Sequence, residues 1–132
     1  MPMPALAGFD HLMLVVADPE ASVAFYRRVL GAQPVTIATK MGPRYQLDLP
    51  GVRLSVQPVE PGADRAVTRA VPGAAHFCLL TEAPLQDWAA HLEAEGVAVE
   101  MGPVQRDGRI GLLDVIYFRD PDDTLIEIGR LP

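Results

Sequence analysis

One cysteine, one tryptophan and an aromatic share of only 6% leave this chain few of the usual anchors. The lone Cys78 cannot close an internal disulfide, so packing must hold the fold, and a reducing, cytoplasmic setting is expected. Positive charge is scarce as well. Eleven Lys and Arg stand against seventeen Asp and Glu, a net charge of -6, which argues against nucleic acid or an anionic membrane as partner, since both need clustered cations. No long apolar run exists either: Leu12 to Ala17 is the longest, far below the roughly 20 residues that span a bilayer. The first eight residues lack the basic start and apolar stretch of a secretory signal. What these shortages leave open is a small-molecule substrate or a metal ion, handled by a chain of 132 residues with room for one core.

What is present is a repeat. His11 and His76 lie 65 positions apart, and the same offset carries Leu14 to Leu79, Pro19 to Pro84, Ala24 to Ala89 and Gly31 to Gly96. These identities fall at a strand start, a helix start and a helix end, which points to a duplicated supersecondary unit. Phe9 to Val16 reads as a buried strand. Asp18-Pro19-Glu20 then supplies a cap, a first-turn proline and an early acid. Val23, Tyr26, Val29 and Leu30 share a helical face, and Gly31 is placed to end the helix. Strands follow near Val35 to Thr39, Arg44 to Leu49 and Val52 to Val59, separated by turn signals at Met41-Gly42-Pro43 and Leu49-Pro50-Gly51. The second copy has a strand at His76 to Thr81 and a helix at Pro84 to Glu95 with Leu85, Trp88, Ala89 and Leu92 on one face. Its cap is weaker because Ala83 precedes the proline. Strands near Val97 to Met101, Leu113 to Arg119 and Thr124 to Gly129 complete it, the last two joined by a hairpin turn at Asp120-Pro121-Asp122-Asp123. The expected organisation is a βαβββ module over residues 8–58, a linker over 59–73 and a second module over 74–132.

Strand alternation puts His11, Met13 and Val15 on one face and His76, Cys78 and Leu80 on the equivalent one. Glu127 falls on the face opposite Ile126 and Ile128 and, flanked by apolar residues, needs a cation. Its counterpart in the first copy is expected at Gln57, with an offset of 70 whose extra residues are absorbed by a loop around Gln105 to Gly111. His11, Gln57, His76 and Glu127 are thus four polar residues, two from each half, that can converge. Two imidazoles and one carboxylate suit Zn, Fe(II), Mn, Co or Ni. Met13, Arg44, Gln46 and Ser55 are expected to line the adjoining cavity. Cys78 and Trp88 read as core residues, and Arg53, Arg119 and Arg130 as solvated.

The strings Phe9-Asp10-His11-Leu12, Ala21 to Gly31, His76 on its strand, and Tyr117-Phe118-Arg119-Asp120-Pro121-Asp122 leading to Leu125-Ile126-Glu127 resemble the vicinal oxygen chelate superfamily. That group includes glyoxalase I, extradiol dioxygenases, fosfomycin-resistance transferases and bleomycin-resistance proteins. The resemblance implies an α+β fold in which two βαβββ modules form a curved mixed sheet around a metal cavity, in a homodimer, with His11, His76 and Glu127 as ligands of a divalent metal that chelates two neighbouring substrate oxygens. The departures are informative. Glyoxalase I has a second Glu where this chain has Gln57, whose amide cannot abstract a proton but can still coordinate. Extradiol dioxygenases add a further active-site His, whereas the only other one here, His91, lies on a helix. Fosfomycin transferases share a Tyr ten residues before the Glu, as Tyr117 stands here, but carry Thr where this chain has Met13. Bleomycin-binding members lack the metal ligands. The resulting expectation is a metal-dependent enzyme with Tyr117 and Gln57 as catalytic candidates, dioxygenase-like chemistry ranked before isomerisation and addition. The alternative is a non-catalytic small-molecule binding protein. The sequence leaves open whether the modules pair within one chain or by exchange between two.

Overall fold

The computed structural model describes residues 11–40, 42–58, 75–108 and 111–131; the expected linker and the residues before His11 lie outside this set. Module one runs β1 (Leu12–Val16), α1 (Pro19–Leu30), β2 (Gln33–Thr39), β3 (Gly42–Leu49) and β4 (Val52–Pro58). Module two repeats it as β5 (His76–Leu80), α2 (Leu85–Ala94), β6 (Met101–Gly108), β7 (Gly111–Arg119) and β8 (Leu125–Arg130). Each forms its own four-stranded sheet, in the orders β1-β4-β3-β2 and β5-β8-β7-β6. In both the first strand is an edge strand running parallel to the last, and the remaining pairs are antiparallel.

The punctuation works as its chemistry requires. Asp18 accepts from the N–H groups of Glu20 and Ala21 at the start of α1, satisfying donors that the first helical turn cannot. Gly31, at φ 69°, ends it by turning left-handed, and its N–H reaches Arg27 O. The α2 start has no side-chain cap, in keeping with the alanine before its proline. One difference lies in module two. Val97 to Glu100 is not strand, and the residues expected as a loop around 105–111 instead extend β6 and β7 into a long hairpin. A register shift between Met101 and Val104 lets this happen: Pro103 has no N–H to give a ladder, so the extra residues bulge out there.

One core unites the modules through their helices. Leu14, Val16, Leu47, Leu54 and Val56 of the first sheet pack with Phe25, Tyr26 and Val29 of α1, Leu92 of α2, and Ile116, Phe118, Ile126 and Ile128 of the second sheet. Polar contacts clasp the same seam. Tyr26 donates to Asp120 at 2.9 Å, and Asp122 accepts from Ala17 N at 3.0 Å and from the Ser22 hydroxyl. His91 donates to Val29 O at 2.8 Å, and Arg28 pairs with Glu95 at 2.9 Å. The Asp120–Asp123 turn therefore does more than reverse the chain: its first and third residues dock module two onto α1. Among the described residues no helix is long and apolar enough to cross a membrane.

Candidate functional site

With one face of each sheet buried against the helices, strand alternation turns the other face away from them. On the second sheet that face carries a row of interacting side chains across all four strands. Arg106 of β6 holds its guanidinium carbon 5.9 Å from the Tyr117 ring centroid. Tyr117 of β7 stands directly opposite Glu127 of β8, whose carboxylate helps raise the pKa of the Tyr117 hydroxyl. The Glu127 Oε2 in turn meets His76 Nε2 of β5 at 2.6 Å. Leu113, Val115 and Tyr117, with Val104 and Leu125 against them, form the apolar floor beneath this row. Burial and then the Glu127 carboxylate push that hydroxyl above its ordinary pKa, so it holds its proton near neutrality. Cys78, exposed on the same strand as His76, is also shifted upward, by desolvation and the Glu127 charge. It is an exposed thiol, not the core residue its sequence context predicts, and the raised pKa makes it a poor nucleophile.

The first sheet presents a different surface. His11 is exposed just ahead of β1, in phase with Met13 and Val15. Ser55 and Gln57 of β4 are 3% and 6% exposed. Gln46 of β3 lies opposite Ser55 and directs its Nε2 to the Ser55 hydroxyl at 3.5 Å. Three atoms here have no hydrogen-bonding partner although buried: Gln46 Oε1 and both Gln57 side-chain atoms. Arg53 and Asp48, on the same face, form a two-bond ion pair.

Of the four sequence-predicted ligands, His76 and Glu127 therefore meet, and His11 and Gln57 lie on the other sheet. Among the described residues no three His, Cys, Asp or Glu side chains gather into a metal-holding group, so one chain alone does not bring His11 to the His76–Glu127 pair. The register also shifts the expected correspondence. Cys78 opposes Glu127, and Met13, its counterpart 65 positions earlier, opposes Ser55. Ser55 rather than Gln57 is thus the Glu127 equivalent, with Gln57 one pleat further along. The offset of 70 fails because the extra residues of module two sit in the β6–β7 hairpin and its bulge. Gln46 and Ser55, expected to line the cavity, do face each other across β3 and β4, whereas the place of Arg106 was not legible beforehand, since it depends on cross-strand register.

His91, bonded to Val29 O, serves the helix interface. Trp88 is likewise committed, donating to the Thr81 hydroxyl at 2.9 Å. Arg119 is exposed, as expected, and makes a surface ion pair with Glu100 at 3.0 Å.

Comparison with known proteins places these features in a lineage. The Glyoxalase/Bleomycin resistance protein/Dioxygenase superfamily matches residues 8–128. Virulence protein STM3117 of Salmonella typhimurium is 34% identical over 121 residues, covering 92% of this chain and 82% of that protein; its crystal structure superposes with a TM-score of 0.88 over 98% of this chain and 100% of that one. An integron cassette protein from the mobile metagenome of V. cholerae has a TM-score of 0.90 at 31% identity, covering 98% and 99%. TnmS3, an antibiotic binding protein from Streptomyces sp. CB03234, shares the fold at 21% identity and a TM-score of 0.77, covering 98% and 100%.

Proposed function

Because the chain belongs to the Glyoxalase/Bleomycin resistance protein/Dioxygenase superfamily, we propose that it is a metal-dependent enzyme acting on a small substrate with adjacent oxygens. Its divalent ion would be held by His76 and Glu127 of one chain and His11 of a second. The observation that carries this reading is the His76–Glu127 pair: a ring nitrogen and a carboxylate oxygen 2.6 Å apart on an outer sheet face. Two donors to one ion stand roughly 3 Å apart, so the pair needs to open only slightly. A neutral imidazole with a carboxylate, completed by a second imidazole, suits Fe, Zn, Mn, Ni or Co.

The second chain enters because β1 and β5 are, among the described residues, both edge strands, and a free edge invites pairing. Joining β1 of one copy to β5 of another in a twofold dimer would close two curved sheets and supply each His76–Glu127 pair with the partner's His11. Leu80, on β5 and 57% exposed, would be covered by the same step.

A bound divalent ion would supply Lewis-acid polarisation of the substrate oxygens. The chain's own residues do the rest. Tyr117, directly opposite Glu127, would border the carboxylate and present its protonated hydroxyl toward the substrate. Arg106 braces the Tyr117 ring from the far strand. Gln57 is assigned to the substrate side of the ion, because Ser55 takes the position equivalent to Glu127. Dioxygenase-like chemistry ranks before isomerisation and addition, and oxygen uptake on catechols is the first screen.

The test is metal content in mixed dimers. His11→Ala and His76→Ala should each lose bound metal, and co-expressing the two variants should restore one ion in each mixed dimer, because one of its two sites regains both imidazoles. No recovery on mixing would refute the shared site. A binding protein without chemistry is the second reading, favoured by the partnerless Gln57 amide and Gln46 carbonyl oxygen, which would serve a tightly held ligand equally well. Ligand binding unaffected by chelation, in protein that carries no metal when purified without chelators, would establish it instead.

A further inference from the structure

The outer face of the first sheet holds three buried polar atoms without partners, and such atoms are costly. An amide taken from water with no compensating bond loses about 1–3 kcal/mol, so this surface is built to be completed by something else. Gln57 contributes one carbonyl oxygen and one NH2 group, both unpaired whichever way its amide is turned. Gln46 contributes a second carbonyl oxygen, its NH2 being directed to Ser55.

Counting donors and acceptors identifies what fits. Two amide oxygens require hydrogen-bond donors from the ligand, and one NH2 requires an acceptor. A carboxylate or phosphonate brings acceptors only and would set its charge against the two oxygens. The donor count decides here, not a lack of cations: Arg53 is engaged by Asp48 through two bonds and Arg44 is exposed two positions before Gln46 on the same face, but neither gives a carboxylate the donors that the two amide oxygens require. We infer that Gln46, Ser55 and Gln57 form a subsite for an uncharged group that both donates and accepts hydrogen bonds, a carboxamide or its like, and that this subsite selects neutral over anionic substrates. The inference rests on the reading that the outer sheet faces line the substrate site, and it adds the substrate class to that reading.

Glycolamide and glycolate make a suitable probe pair. Both carry a hydroxyl beside a carbonyl carbon, and they differ in an NH2 group against a charged oxygen. Titration of the isotopically labelled protein, followed through backbone and glutamine side-chain amide resonances, is done in the presence of a chelator. Failure of the metal assignment, measured separately, then leaves this result standing, and the reverse holds too. Glycolamide should bind at least fivefold more tightly than glycolate and move the Gln57 NH2 resonances, and Gln57→Leu should bring the two affinities within about twofold. Gln46→Leu gives an independent check should Gln57→Leu not yield a folded spectrum, and should shrink the preference likewise. Equal affinities, a preference for glycolate, no binding of either probe, or a preference that survives these substitutions would overturn the inference.

Discussion

The same partnerless amide gives an opposite and measurable effect on stability. Gln57 is 6% exposed and neither of its polar side-chain atoms is bonded. Gln57→Leu replaces the amide by an apolar group of nearly equal volume on a strand between Val15 of β1 and the facing strand β3. It removes an unpaid desolvation cost of about 1–3 kcal/mol and forfeits a little packing, because leucine has one heavy atom fewer. The expected net effect is a gain of about 1–2 kcal/mol, or roughly 3–6 °C in Tm for a chain of this size. Thermal and urea unfolding of the ligand-free protein measure it. Gln33→Leu, at an exposed position of β2, is the control and should stay within about 0.5 kcal/mol. A loss of 1 kcal/mol or more on Gln57→Leu would show that the folded protein satisfies the amide itself, and the argument for a waiting ligand subsite would fall with it. A gain in stability accompanied by loss of glycolamide binding is the trade expected where a site keeps an unsatisfied group for its ligand.

Other consequences concern the module interface and the β6–β7 hairpin. Burial, with the Asp120 charge and hydrogen bond behind it, raises the Tyr26 pKa far above its ordinary value of 10, so the folded state keeps a proton that the unfolded chain releases. Stability should therefore be unaffected by this group below pH 10 and fall above it, by up to about 1.4 kcal/mol per pH unit; melts from pH 9 to 11 test this, and Tyr26→Phe should flatten the decline. At neutral pH that substitution should cost about 1–3 kcal/mol, because Asp120, 4% exposed, loses one of its donors. Gly102→Ala should cost about 3 kcal/mol or more, since φ there is +113° and an added Cβ would run into the Val115 carbonyl and Ile116 Cα; an expressed, fully stable variant would contradict it.

The sequence carried the fold a long way because its signals were local. Asp18, Pro19 and Gly31 act within a turn of where they stand, and alternation along Leu12 to Val16 and Leu125 to Gly129 sorts side chains correctly whatever the neighbouring strand. Tyr26 shows the reach of such signals: the helical stripe predicts its burial, though not its partner 94 residues away. Register is a different kind of information. Whether Ser55 or Gln57 answers to Glu127 depends on how many residues β6 and β7 take up in their bulge, a matter of proline chemistry at position 103 combined with sheet geometry. The pairing of His76 with Glu127 was legible from periodicity and position, whereas the unpaired state of Gln57 was not, since it depends on what every surrounding strand leaves unoffered.

The helix-side clasp and the outward site are two aspects of one arrangement. Each module has a single apolar face to bury, and the two meet through α1 and α2, with Tyr26, Asp120, Asp122 and His91 holding the seam. Once that face is committed, the chemistry-bearing residues are left on the surfaces that the core does not use, and among the described residues the strands that begin each module lie at sheet edges. On the proposed reading, a duplicated chain packed this way has half of a site on each sheet: histidine with carboxylate on one, histidine with amides on the other. Joining the halves would then call for strand-edge pairing between two copies. Mutations at the helix seam should therefore lower stability without changing ligand preference, and mutations at Gln46, Ser55 or Gln57 should change preference while leaving the seam intact. Tyr26→Phe should lower the thermal midpoint and leave the glycolamide-to-glycolate affinity ratio unchanged, whereas Gln57→Leu should shrink that ratio while raising the midpoint; a changed ratio in Tyr26→Phe would refute this separation of seam and site.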